Sequence, residues 1–340
     1  MRIAKLYARD DIRIEDVAAP EPGPGEILVR TRVCGICTGD IMGWYIERKA
    51  PLVFGHEPAG DVVRVGRGVT SISEGDRVFV HHHAPCGTCR RCRRGDHVHC
   101  PTWRRTSLRP GGMSEYFVVP AANVANDTLK LPAAVGYDVG SLVEPTACVV
   151  KSLRRGGVAA GDTVAVIGAG IMGQLHVVLG AALGARMVAI DRVPFRLERA
   201  LRIGAHAAIN VDEQNLKDAI AALTDGEMAD VVIVGPGSLE AMESGIDIAG
   251  SGASVVLFTT SQPEERLAVS PFRLYFDEIS LVPSYSCGPD DTREALALLA
   301  AGKVPIDELV THRFALSEIG AAMRAAGNVN EALKTLIVFE

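Results

Sequence analysis

The chain has 340 residues, 35 Lys and Arg against 41 Asp and Glu, a formal net charge of −6 and 48% hydrophobic residues. That length supports two domains with cores of their own, and the acidic balance speaks against a nucleic-acid partner. No apolar run reaches membrane-spanning length and the charged start MRIAKLYARDDIRIED has no signal-peptide core, so the chain is expected in the cytoplasm without a membrane partner, its eight cysteines beginning as thiols.

In chain order, EILVRTRV (26–33), GDVVRVG (60–66) and DRVFV (76–80) read as strands, separated by the turn-forming runs PEPGPGE, GRGVTSISEGD and RPGGM. Residues 1–150 are therefore expected to form a mostly β domain. From Gly161 strand and helix alternate: strand 163–167, helix 171–183, strand 187–190, helix 194–203 opened by proline, then strands 230–234 and 253–258 with helices between them. This is the pattern of a Rossmann-type doubly wound parallel sheet, so the fold class is α/β, with the nucleotide domain over 151–285. Strand 279–282 at the end of that sheet is expected to pair edge to edge in a homodimer. A helix follows Pro289, and ALKTLIVFE closes on a strand, so 286–340 is expected to return to the first domain.

Within APCGTCRRCRRGDHVHCP, a lobe over 84–102, Cys86, Cys89, Cys92 and Cys100 form two C-x-x-C steps and a longer gap. This spacing reads as a tetrathiolate zinc site, closed and structural because it leaves no open position. An iron–sulfur cluster is the alternative: Pro101 directly follows the last cysteine, as in ferredoxin runs, although those are more tightly spaced.

TVAVIGAGIMG places Gly168, Gly170 and Gly173, with Ile171 and Met172 between the last two, directly after a strand and at the start of a helix. There the first glycine allows a tight turn, the second admits a pyrophosphate to the backbone and the third lets helix and strand pack closely. Asp191 ends the next strand, where a carboxylate binds ribose hydroxyls and repels a 2′-phosphate. This favours NAD over NADP, with Arg192 and Arg196 pulling the other way.

Cys37, His56 and Glu57 remain. Thiolate, imidazole and carboxylate are the donor set of a catalytic zinc, which would make two zinc ions per chain. The run Gly55-His56-Glu57-x-x-Gly60-x5-Gly66-x-x-Val69, the four-cysteine lobe, the glycine turn and their order along the chain together resemble the zinc-dependent medium-chain dehydrogenase family, over essentially the full length. LVEPTACVV resembles its polyol and threonine dehydrogenase branch, where Glu144 stands at the position of a cysteine ligand in animal and plant alcohol dehydrogenases. The resemblance implies a GroES-like catalytic domain with Cys37 and His56 as zinc ligands, and a homotetramer as the alternative to the homodimer. Glu57 and Glu144 compete for the third protein position. Asp40 is implied to orient the liganding imidazole, and Cys148 falls where relatives line the nicotinamide pocket. The implied reaction is hydride transfer between an alcohol, activated by zinc, and the nicotinamide, or the reverse on a ketone.

Two positions depart from that family. Gly39 stands where relatives carry a hydroxyl that begins proton release, with Thr38 next to it, and Met42 replaces a frequent histidine. Water beside Gly39, with Glu57, Glu144 or Thr38, is the expected proton route. Trp44 and Tyr45 either wall the substrate pocket or serve as packing. Along His81, His82 and His83, strand alternation would send the middle ring to the opposite side. The expected function is NAD-dependent oxidation of a secondary alcohol of polyol, sugar or cyclitol type. The alternatives are a same-fold epimerase or eliminase using bound NAD transiently, and a catalytically decayed nucleotide-binding protein.

Overall fold

The computed structural model describes residues 1–340, and the chain divides into two compact units. The first comprises Met1–Ala147, Ser286–Gly302 and Val310–Glu340; the second comprises Cys148–Tyr285 and Lys303–Leu309. No helix is long and apolar enough to cross a membrane.

The first unit is organised around strand Ile27–Gly35, which pairs antiparallel with Glu57–Val65, Tyr116–Val119 and Lys334–Val338. Arg77–Val80 and Thr128–Lys130 extend the sheet on one side, and Val310–Ala315 lies parallel to Lys334–Val338 on the other. Alternate residues Ile27, Val29, Val62, Val78, Val80 and Phe117 point into a common core, each such side chain contributing roughly 1.5–3 kcal/mol on burial. The second of these strands begins at Glu57, three residues before the expected start at Gly60, because the ladder continues through Cys34↔Pro58 and Gly35↔Glu57. Pro58 masks this extension in the sequence, where proline argues against a strand interior.

Register then fixes the site. Opposing Gly35 with Glu57 and Ala59 with Phe79 brings the end of one strand, the start of the next and the end of a third to one edge. Cys37, His56 and His81 leave the sheet there together. Lys334 arrives at the same edge, since Leu336 lies opposite Gly35.

The second unit holds six parallel strands in the order Ala207–Asn210, Arg186–Asp191, Thr163–Ile167, Ala229–Val234, Ala249–Leu257, Ser280–Pro283. Every residue of Thr163–Ile167 is buried, as an apolar run inside a two-faced parallel sheet requires. Strand order reverses between Thr163–Ile167 and Ala229–Val234, the place where doubly wound sheets open a ligand crevice. Ser280–Pro283 has a neighbour on one side only.

Candidate functional site

The four lobe cysteines bring their sulfurs within 4.8 Å of one another. Cys89 and Cys92 stand 3.5 Å apart, and Cys86 and Cys92 3.9 Å. A tetrahedral ion with Zn–S bonds of about 2.3 Å needs sulfurs about 3.8 Å apart, whereas a disulfide closes to about 2.05 Å. The thiols are unbridged, and their separations fit one ion rather than a multi-iron cluster, whose ligating sulfurs stand further apart. Backbone amides support negative sulfur: the Cys86 amide donates to Cys100 Sγ at 3.3 Å, and the Thr88 amide holds the Cys86 thiol down to about 6.

At the sheet edge, Cys37, His56 and Glu57 place their donor atoms within 4.8 Å of one another. Cys37 caps the short helix Thr38–Ile41, and its sulfur accepts the Gly39 amide at 3.4 Å. Asp40, buried, accepts the Cys37 amide at 3.0 Å and lies 3.6 Å from His56 Nδ1, which leaves the other ring nitrogen facing the cluster. Thr38 is exposed and hydrogen-bonds to none of these groups. Thiolate, imidazole and carboxylate at mutual reach suit zinc, and the donor set fits that ion.

The two glutamates are placed differently. Glu57 is buried and its Oε2 pairs with the equally buried Lys334, whose ammonium also donates to the Ile36 carbonyl at 3.1 Å. Gly35 has to be glycine beside this pair, since a Cβ there would collide with Glu57 Oε2 and approach Lys334 Cε to 2.7 Å. Glu144, in the first turn of helix Val143–Gly156, groups instead with His81 and His82, all within 4.8 Å.

The three histidines do not alternate. The strand stops at Val80, and in the loop that follows successive rings lie 5.1 Å and 4.1 Å apart, His82 also standing 4.9 Å from His56. His81 is fully buried, its Nδ1 2.7 Å from Asp127 and its Nε2 3.7 Å from Cys287 Sγ, while Thr292 donates to Asp127 at 2.5 Å. Burial opposes charge on His81, but Cys287 and Asp127 outweigh it and hold the imidazole well above its ordinary value. His82 is pushed well below by burial and by its histidine neighbours.

In the second unit Gly168 has φ +88°, and a Cβ there would meet the Pro236 ring at 2.9 Å. A Cβ on Gly173 would run into the Gly168 carbonyl, and Gly170 is the N-cap of helix Ile171–Ala182. Ile171 is buried beneath this turn and Met172 partly so. Asp191 accepts the Ala169 amide at 2.7 Å and those of Arg192 and Val193 at 2.8 and 3.0 Å, which ties the glycine turn to the second strand. Arg196 lies 3.6 Å from Asp191 and beside Gly170; Arg192 is exposed. These groups fit a dinucleotide: bare amides at a helix start for the phosphates, and a carboxylate at the strand end for a ribose.

Sequence reasoning missed Lys334 and the Asp127–Thr292 support of His81. A signal existed for the first: one lysine inside the apolar run ALKTLIVF, where a fully buried cation needs a partner.

Residues 23–133 match the model of the alcohol dehydrogenase GroES-like domain, and residues 172–301 that of the zinc-binding dehydrogenases. A sorbitol dehydrogenase of Halalkalibacterium halodurans is 31% identical over 332 residues, covering 95% of this chain and 94% of its own. An L-threonine 3-dehydrogenase of Bacillus licheniformis is 33% identical over 314 residues and 89% of each chain. A solved structure described as a zinc-binding dehydrogenase of Sinorhizobium meliloti 1021, bound to NADP, superposes with a TM-score of 0.90 at 28% identity, over 99% of this chain and 98% of the other.

Proposed function

The chain belongs to the zinc-dependent medium-chain dehydrogenase family, and from its site we propose that it oxidises a secondary alcohol of polyol, sugar or cyclitol type with NAD, or reduces the ketone. The observation that carries this reading is the convergence of Cys37, His56 and Glu57 at one sheet edge, in a chain whose second unit keeps an intact glycine turn and Asp191. Zinc held by these donors supplies Lewis acidity that lets a substrate hydroxyl lose its proton near neutral pH. The nicotinamide supplies a hydride acceptor. Cys37 and His56 are the fixed ligands. Glu57, within reach and paired with Lys334, is the third donor, and Glu144 groups with His81 and His82. Asp40 holds the His56 ring. The lobe thiols would hold a second zinc, which would maintain that loop.

NAD is the favoured cofactor because the Asp191 carboxylate occupies the ribose position and draws Arg196 to itself. Arg192, exposed and without a carboxylate partner, is the residue that an NADP preference would use. Ser280–Pro283 is an open sheet edge, and Phe272, Tyr275 and Phe276 beside it in sequence are 72%, 76% and 65% exposed, which supports a homodimer joined through this strand.

The test is a screen of NAD and NADP reduction over polyols, sugars, cyclitols and simple secondary alcohols, with zinc counted in the same preparation. NADH formed in steady state with two zinc ions per chain is the expected result. Cofactor that stays bound without net reduction would move the reading to transient oxidation. Loss of zinc from Glu57→Gln but not Glu144→Gln would establish the third ligand, and the reverse would transfer that role.

A further inference from the structure

We infer that the substrate carries an anionic group, a phosphate ester or a carboxylate, and that this group docks on the ammonium of Lys49. The inference rests on the alcohol-oxidising reading above and narrows its substrate class.

Tyr45, in the short helix Gly43–Ile46, links the two ends of this argument. Its ring edge is 3.7 Å from the point where a Cβ on Gly39 would sit, and that point is 3.8 Å from Cys37 Sγ. The absence of a side chain at Gly39 leaves this face of the ring open beside the thiolate. At its outer end the Tyr45 hydroxyl accepts from Lys49 Nζ at 2.7 Å, and the same ammonium stands 3.9 Å from the ring centroid. A lysine on the surface ordinarily samples many rotamers. Here a hydroxyl and a π face hold it in one.

The His82 ring stands 4.9 Å from His56, and its Nδ1 is buried without a hydrogen-bond partner. From the thiolate, the line of contacts past Gly39 and the Tyr45 ring ends on the Lys49 ammonium.

Charge around this path is unbalanced. Lys49, Arg48 and Arg9 form no ion pair, although cations elsewhere in the unit such as Arg2, Arg32 and Arg109 are matched with carboxylates. Arg48 lies over the Trp44 ring at 5.5 Å, and Arg9 packs on Gly43, 3.2 Å from its Cβ position. Glu47 is the one acid between residues 41 and 50, and it accepts from the Arg9 amide at 3.3 Å. Unpaired cations on a surface are ordinary. A fixed one, one phenol ring away from a metal-type donor cluster, is a recognition feature. A neutral polyol gives it no counter-charge, whereas an anion makes the charge-assisted hydrogen bond that its position anticipates.

The experiment compares the zinc-loaded enzyme on matched short-chain series: neutral polyols, their monophosphates and the corresponding hydroxy acids. One anionic series should exceed its neutral counterpart in kcat/KM by about 10- to 100-fold, the range of one charge-assisted hydrogen bond. Which series does so separates phosphate from carboxylate. Lys49→Met should collapse that ratio, Lys49→Arg should keep most of it, and added salt should shrink it in the parent. In parallel, inorganic phosphate and acetate are titrated by calorimetry into the parent and Lys49→Met, with circular dichroism confirming that both are folded. Saturable binding of one anion, lost in Lys49→Met, supports the site. Equal kcat/KM for neutral and anionic series, or an unchanged ratio in Lys49→Met, overturns it, as does the absence of saturable binding of both anions. If no series reduces NAD, the alcohol-oxidising reading fails, and the titration still decides the anion site.

Discussion

The first unit contains two clusters of metal-type donors, assembled over different ranges of the chain. The lobe gathers all four sulfurs between Cys86 and Cys100, and backbone amides of the same loop stabilise them. The edge site takes Cys37 and Asp40 from the cap and short helix after Ile27–Gly35, His56 and Glu57 from the start of the neighbouring strand, Glu144 from a helix and Lys334 from a strand 298 positions from the carbonyl it bonds. A local cluster depends on its own loop. A distributed one depends on the register of the whole sheet, and it carries charges that must be neutralised by partners from far along the chain.

The largest expected effect separates the two clusters by function. Cys37→Ser should lower kcat on the order of 10³-fold, as loss of a Lewis acid implies, while leaving the thermal midpoint nearly unchanged. Cys100→Ser should show the opposite balance, a lower midpoint with less effect per folded molecule. Each should lose one zinc equivalent by elemental analysis, and equal kinetic damage from both would erase the distinction.

Next comes the charge carried only by the distributed site. Lys334→Met leaves Glu57 buried without its cation and should cost about 3–5 kcal/mol in urea unfolding. Adding Glu57→Gln should recover much of that loss. A Lys334→Met chain as stable as the parent would mean that the pair contributes nothing.

The second unit contains a buried imidazole of its own. His176 donates from Nδ1 to the Met172 carbonyl at 2.7 Å, accepts from Ser152 at 2.9 Å, and is driven by burial to about 4. Its unfolded counterpart titrates near ~6.5. The unfolded chain therefore binds the extra proton between those values, so this contribution is complete above about 6.5 and is lost as pH falls toward 4. His176→Gln should flatten the decline of the unit's urea midpoint across that window, and an unchanged slope would show that the ring is not responsible.

The smallest effect concerns proton release. Gly39→Ser fits, its nearest neighbour being Tyr45 at 3.7 Å, and should change kcat by less than about tenfold while shifting its pH profile. If both stay as in the parent, the space beside Gly39 is no part of the proton route.

The same contrast explains what could be read in advance. The lobe, the glycine turn and the parallel sheet are legible because each is written in contiguous residues: C-x-x-C spacing, GAGIMG after TVAVI, apolar runs of strand length. Cys37 and His56 are legible through their neighbours in the motif. Lys334 is not, because its meaning depends on Leu336 facing Gly35, a register that no local pattern encodes. The histidine run was misread for a related reason. Alternation holds only while a strand is paired, and pairing ends at Val80. Between the glutamates, sequence offers two equivalent carboxylates, and only folding reveals that one is tethered by a lysine and the other faces two histidines.

The tether between Glu57 and Lys334 also sets an order of assembly. During synthesis the second unit's six strands emerge as one uninterrupted stretch and can pair as they appear. Strand Ile27–Gly35 is made early, yet its partner Lys334–Val338 follows only after the entire second unit. Until then Glu57 has no buried cation to meet, and the edge that gathers Cys37 and His56 lacks one of its walls. Metal loading at this edge should therefore come late, after completion of the chain, whereas the lobe should be able to close on an ion as soon as Cys100 has been translated.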